Sequence, residues 1–346
     1  MVKKNLKGLT LQELEEFMAT LGEPAYRARQ VFKWIYKGVT QFDSMTDLPK
    51  SLIKILNDKA CISMIKIYKK FESALDKTVK YVFLLEDGNM VEGVKMEYSF
   101  GVSACVSSQV GCRMGCAFCA STIGGMVRNL SGGEMADEVL AIEKDTGKKV
   151  SRVVIMGSGE PLLNYDELIR FLSLLNSPLA FNISFRRITV STCGIVPEII
   201  RLADEGIPVT LAVSLHAPDD VLRNRLMPVN RIYPILQLLD ACKYYIIKTR
   251  RRITFEYALI SQVNDTQECA RKLSMLLKGL LCHVNLIPLN PIREKGFEKS
   301  KPDRVAAFEK ILSSSGISTT VRREMGADIE AACGQLRRSI LDEVKE

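Results

Sequence analysis

From Val102 onward the chain alternates short apolar runs with longer amphipathic stretches, and this alternation restricts its fold more than any other feature. The pattern predicts strands over Val102–Ser107, Arg152–Met156, Arg187–Ser191, Val209–Leu215, Ile253–Leu259 and Val284–Pro288. Helices are predicted at about Glu134–Lys144, Tyr165–Leu175, Pro197–Asp204, Ile232–Ile246, Thr266–Leu277 and Arg304–Leu312. Ser131 and Glu134 stand at the spacing of a capping box, which marks the start of the first. Runs this apolar suit parallel strands covered by helices on their faces. The expected fold class is therefore α/β, a partial TIM-like (β/α)6 barrel.

Ahead of the repeats the chain reads differently. Thr10 with Glu13 is a second capping box, and Leu11, Leu14, Phe17 and Leu21 recur at helical spacing. A helix is predicted from about Ala25 to Tyr36, stopped by Gly38, and another opens at Pro49. After Ile67 the period becomes two, with Lys80–Leu85 and Met90–Met96 flanking a turn-like EDGN as a β-hairpin. Expected units are a helical N-terminal domain over 1–70, a hairpin extension over 71–100, the partial barrel over 101–325 and a tail over 326–346. Met90, Glu92, Val94 and Met96 share one strand face. Glu92 is thus either a solvated edge residue or a buried carboxylate able to exchange a proton.

Folds of this kind place ligands where strands end. The second predicted strand is followed by GSGEP with Gly159 and Glu160, the third runs into STCG with Ser191, the fourth into SLHAP with Ser214, Leu215 and His216, and the sixth into PLNP with Asn290. Each alone reads equally as loop punctuation. Their shared position points to one pocket.

GCRMGCAFCAS sets Cys112, Cys116 and Cys119 in a C-x3-C-x2-C spacing with Phe118 before the last. An incomplete zinc knuckle is one reading, but structural zinc takes four protein ligands and no fourth lies nearby. A 4Fe-4S cluster held by three thiolates leaves one iron open to a small molecule. Cys105 and Cys333 stand apart from this motif, and burial as small hydrophobes accounts for both unless chemistry requires them.

At 346 residues and 47% hydrophobic, the chain can bury a large core. The net charge of +8 is compatible with a polyanionic partner. The N-terminus carries no apolar signal core, and the most apolar stretch, Leu273–Leu289, is interrupted by Lys278, His283, Asn285 and Pro288. Ten cysteines without a secretory signal point to a reducing cytoplasm, with no membrane association.

The three-cysteine motif resembles that of the radical S-adenosylmethionine (SAM) superfamily. Across VEGV, CVSSQVGCRMGCAFCASTIGG, GEPLLNY, RITVSTCGIVP, SLHAP, HVNLIPLNP and DIEAACGQL the chain resembles the RlmN family, which methylates carbon 2 of adenine in 23S rRNA and tRNA. The related Cfr family acts on carbon 8, and a zinc-dependent RNA-binding protein without catalysis is the alternative from another class. One departure is Ser158, where the family usually has methionine, and it implies different packing around the SAM methionyl group.

The resemblance implies a [4Fe-4S] cluster on Cys112, Cys116 and Cys119, and SAM contacts from Gly159, Glu160, Ser191, Ser214, Leu215, His216 and Asn290. It also implies two SAM per turnover, Cys333 as methyl carrier, Cys105 as the thiol that closes a disulfide on it, and Glu92 as proton acceptor. The implied partners are 23S rRNA before the ribosome is fully assembled, tRNA and an electron donor such as flavodoxin, with the enzyme a monomer. The N-terminal helices, the Lys248–Arg252 run, Arg322 and Arg323 become candidate RNA contacts.

Overall fold

The computed structural model describes residues 3–336. Residues 337–346 of the expected tail lie outside the described residues. In chain order the strands are β1 (Lys4–Asn5), β2 (Ala60–Cys61), β3 (Lys66–Glu72), β4 (Val79–Leu84), β5 (Met90–Tyr98), β6 (Gly101–Val106), β7 (Gln109–Gly111), β8 (Met126–Asn129), β9 (Val150–Ile155), β10 (Ile188–Thr192), β11 (Thr210–Ser214), β12 (Ile253–Leu259), β13 (Cys282–Pro288) and β14 (Ser318–Val321). The helices are α1 (Leu11–Thr20), α2 (Ala25–Tyr36), α3 (Lys50–Lys59), α4 (Gly132–Thr146), α5 (Tyr165–Asn176), α6 (Val196–Asp204), α7 (Asp220–Leu226), α8 (Ile235–Thr249), α9 (Gln267–Leu277) and α10 (Pro302–Ser314).

One 10-stranded sheet organises the molecule, in the order β14-β13-β12-β11-β10-β9-β6-β5-β4-β3. From β6 to β14 all neighbours are parallel and follow chain order, as helical crossovers between successive strands require. The sheet is open: β14 ends it on one side and β3 on the other, so the barrel is incomplete as expected. One parallel strand more than predicted is present. β14 is short and mostly exposed, so it carries no apolar run to betray it.

The predicted hairpin is β4 and β5, and it does not stand apart. β5 pairs antiparallel with β6, with Val94 opposite Cys105, and β3 adds a further antiparallel strand beyond β4. β3 starts at Lys66, and its residues are almost all exposed.

Alternate strand residues face the helices. Val106, Ile155, Val190, Val213, Phe255 and Val284 join Leu168, Leu172, Leu202, Leu238, Leu273 and Phe308 in one continuous core, all 0–1% exposed. Burying each such side chain contributes roughly 1.5–3 kcal/mol. Both expected capping boxes form, Thr10 with Glu13 on α1 and Ser131 with Glu134 on α4.

The N-terminal helices share this core and dock on the start of α4. Gly8 has φ +86, and a Cβ there would lie 2.7 Å from the Gly133 nitrogen, so two backbones meet where side chains have no room. Beside them Lys7 Nζ and Asp137 form an ion pair at 2.8 Å, each side chain 1% exposed. Arg170 of α5 reaches Glu13 and the Gly8 carbonyl. Among the described residues no helix is long and apolar enough to cross a membrane.

Candidate active site

The residues after β6 turn back on themselves as β7, and β8 pairs with β7 to brace the cysteine loop between them. Gly111 opens that loop with φ +76, where a Cβ would collide with the Gly125 carbonyl oxygen at 2.0 Å, so glycine is required. The loop is then tied to its surroundings: Ala117 N–H donates to the Leu226 carbonyl at 2.9 Å and Thr122 Oγ1 donates to the Cys119 carbonyl at 2.8 Å.

Cys112, Cys116 and Cys119 line one cavity of about 160 Å³ at the C-terminal ends of the parallel strands. Gly159, Glu160, Ser191, Ser214, His216 and Asn290 line it too, as their strand-end positions predict. Leu215 does not; it is fully buried behind the wall, its N–H donated to the Glu256 carbonyl. Ser158 is also absent from the wall. Its N–H donates to Ser107 Oγ, and its carbonyl accepts from Ser108 and Gln109.

The polar groups of this wall are held from behind. Glu160 is buried, which raises its pKa, and its carboxylate accepts from the Cys193 and Leu162 N–H groups at 2.7 and 3.1 Å. This stitches the loop after β9 to the loop after β10. His216 has φ +56, its ring lies edge-on to Phe118, and its Nδ1 accepts the Ala258 N–H at 2.9 Å. Burial, with the nearby Arg223 charge, pushes its pKa down to about 3, so the ring is neutral and carries its proton on Nε2.

Arg223 of α7 is a residue that sequence reasoning missed. It is 0% exposed and donates to the carbonyls of Cys193, Ser214 and Leu215 and to Asn230 Oδ1, clamping the ends of β10 and β11. Its only signal is a short DVLRNRL stretch that has the look of a loop.

The donor set suits an iron–sulfur cluster with SAM. Burial raises the pKa of all three thiols, Cys112 to about 11, so they ionise here only against a strong local positive charge such as iron supplies. Asn290 Oδ1, buried in the same wall, has no hydrogen-bond partner among the described residues and is an acceptor suited to a ligand donor. Among the described residues no three His, Cys, Asp or Glu side chains converge on a single-ion site.

Cys333 lies on the segment after β14 and lines this cavity together with Cys112, Cys116 and Cys119. It also lines a neighbouring cavity with Cys105, Met96, Val94 and Arg322. Cys105 is buried, and burial with Cys333 beside it pushes its thiol up to about 12. Glu92 lines neither cavity. It sits two residues from Val94 on the same face of β5, 4% exposed, with Lys80 Nζ 3.8 Å from its carboxylate.

The segment bearing Cys333 is strapped down along its length. Asp328 accepts from Ser73 Oγ and the Ala74 N–H, and Gly326 N–H donates to Asp76. Asn290 Nδ2 donates to the Cys333 carbonyl, Ala120 N–H to the Gly334 carbonyl and Ser121 Oγ to the Leu336 carbonyl. Of the candidate RNA contacts, Arg322 lines the cysteine cavity, whereas the Lys248–Arg252 run precedes β12 and so lies at the opposite end of the sheet.

Comparison with known proteins agrees with this architecture. Residues 4–62 match the ribosomal RNA large subunit methyltransferase N-terminal domain, and residues 106–272 match the radical SAM superfamily. A protein of Thermoanaerobacter sp. (strain X514), named a probable dual-specificity RNA methyltransferase RlmN, is 57% identical over 340 residues, covering 98% of this chain and 99% of that one. A protein of the same name from Clostridioides difficile (strain 630) is 52% identical over 333 residues, 96% of this chain and 97% of its own. The crystal structure of a radical SAM methyltransferase from Sphaerobacter thermophilus superposes with a TM-score of 0.92 at 46% identity, covering 97% and 99% of the two chains.

Proposed function

Because this chain belongs to the RlmN family of radical SAM dual-specificity RNA methyltransferases, we propose that it methylates carbon 2 of adenine in 23S rRNA and tRNA through a methylated Cys333. The observation that carries the reading is the double position of Cys333, on the wall of the cluster-thiol cavity and on the wall of the cavity holding Cys105. A thiol placed so has access both to a methyl donor and to a second thiol.

Cys112, Cys116 and Cys119 would hold the [4Fe-4S] cluster, and Gly159, Glu160, Ser191, Ser214, His216 and Asn290 would line the SAM site, with Leu215 backing it. When bound, the pair supplies a transferable methyl group and, on reduction by a flavodoxin-type donor, a 5′-deoxyadenosyl radical. Carbon 2 of adenine is electron-poor and does not attack a methyl cation equivalent, so a carrier is needed. Cys333 gives up its proton and as the thiolate accepts the methyl of one SAM; the radical from a second SAM would take one hydrogen atom from that methyl, leaving a carbon that bonds to carbon 2 of adenine. The adduct's odd electron would pass to the oxidised cluster, and Glu92 takes the proton from carbon 2. Cys105 then loses its proton and attacks the Cys333 sulfur, forming an S–S bond as the S–C bond breaks; the carbon keeps the bonding pair, takes up a proton and leaves as the methyl group of the base.

The adenine has to leave its stack to reach a thiol set this deep, which makes an unpaired or flipped base the substrate. The N-terminal helices over 1–70 and the basic residues near the cavity, Arg322 and Arg323, would hold the surrounding RNA by its phosphates.

The test is to reduce the reconstituted protein under nitrogen with methyl-deuterated SAM and RNA, then locate the label on the base. We expect it on carbon 2. Label on carbon 8 would assign the Cfr-type reaction instead, and unlabelled RNA would refute both.

A further inference from the structure

The carboxylate assigned as proton acceptor is not alone in its corner of the sheet. Lys80 projects from β4, the strand paired with β5, and its side chain is 8% exposed against 4% for Glu92. A buried ammonium is costly unless its hydrogens find acceptors, and this one finds two kinds. Its Nζ lies 3.8 Å from Glu92 Oε1 and donates to the Glu330 carbonyl at 3.4 Å. Glu330 is three residues ahead of Cys333 on the strapped segment. The Lys80 cation also rests over the Phe71 ring, 5.0 Å from its centroid, which closes the remaining side.

We propose that Lys80 is a positioning residue for methyl transfer: one buried cation holds the Glu92 carboxylate ready to accept the adenine proton and latches the backbone that presents Cys333. The assignment rests on Glu92 being the acceptor. In that step the C–H bond at carbon 2 breaks, its electron pair stays with the ring, and the proton forms an O–H bond on Glu92.

Lys69 of β3, in register with Val82 and Glu92 on the same face, also rests over the Phe71 ring, 5.0 Å from its centroid. Cys105 lies across from Val94 on β6, and Arg322 interacts with both Cys105 and Cys333 from beyond β14. Glu138 of α4 lies behind Gly93, on the opposite face of the sheet. Lys80 lies within ion-pair distance of Glu92, and removing its charge disfavours the ionised carboxylate.

The experiment uses the full-length reconstituted enzyme, SAM and a tRNA transcript carrying the target adenine. Single turnovers are quenched in denaturant across the neutral pH range, and the fraction of protein still covalently joined to RNA is read on a gel. Glu92→Gln is expected to stall at this adduct; if it clears the adduct at the parent rate, Glu92 is not the acceptor and the reading above loses its base. With Glu92→Gln stalled, Lys80→Met is expected to clear the adduct about tenfold more slowly. Its acid limb should move to higher pH by about one unit or more, because the lost positive charge had favoured the ionised carboxylate. Lys80→Arg should restore most of the rate. Lys80→Gln keeps a donor for the Glu330 carbonyl without the charge and should show the same pH displacement, which covers a Lys80→Met protein that does not fold. Clearance at the parent rate, or slowing that is equal at every pH and not rescued by arginine, overturns the role.

Discussion

Cys105 shows how a residue's setting determines its chemistry. It is enclosed by Val94, Met96 and Leu336, and its thiol stays protonated until about pH 12. In the reaction proposed here it must give up its proton in the act of attacking sulfur, so proximity and not standing nucleophilicity drives the step. Iodoacetamide at mildly alkaline pH should therefore modify exposed Cys61 well before Cys105, as peptide mass spectrometry of partly alkylated protein will report. The same burial has a stability sign. The folded pKa is raised above the ordinary value of 9.0, so the contribution is whole below pH 9 and is lost as pH rises towards about 12. The role proposed for Cys105 rests on the resemblance, because an isolated cysteine with no spacing partner looks like any packed apolar residue. Arg223 had no such help, since an arginine on a short helix is exposed in most proteins and only tertiary structure reveals it as a clamp.

At the level of elements, what could be read was whatever repeated. The parallel strands β6 and β9 to β13 carry buried faces of Val, Ile and Leu that set them apart from the helices between them. β3 and β14 were invisible for the opposite reason: KIYKKFE and STTV lie on the two edges of the sheet, where exposure removes the apolar pattern. The contact between Gly8 and the start of α4 belongs to this scale as well. A methyl group at residue 8 would meet the Gly133 backbone and would also strain a positive φ, so Gly8→Ala is expected to cost about 1–3 kcal/mol, read from the urea midpoint.

The whole molecule is held as one body by contacts that cross its expected divisions. Lys7 and Asp137 join the N-terminal segment to α4 through a fully buried ion pair, and the worth of such a pair lies in what happens when half of it goes. Lys7→Met should destabilise by about 3–5 kcal/mol, with much of that recovered when Asp137→Asn is added, and denaturation of the two variants side by side measures it. Domain boundaries drawn from composition gave no hint of this bond. A lysine near the N-terminus and an acidic residue on an amphipathic helix each look solvated until the fold brings them together.

One consequence follows from β5 and β6 being neighbours in a single ladder. Glu92 and Cys105 are anchored on adjacent strands by backbone hydrogen bonds, whereas among the described residues Cys333 lies on a segment held by loop and side-chain contacts. In the reaction proposed above, the acceptor and the closing thiol therefore share one rigid ladder, while the carrier thiol sits on a separate strap laid across it.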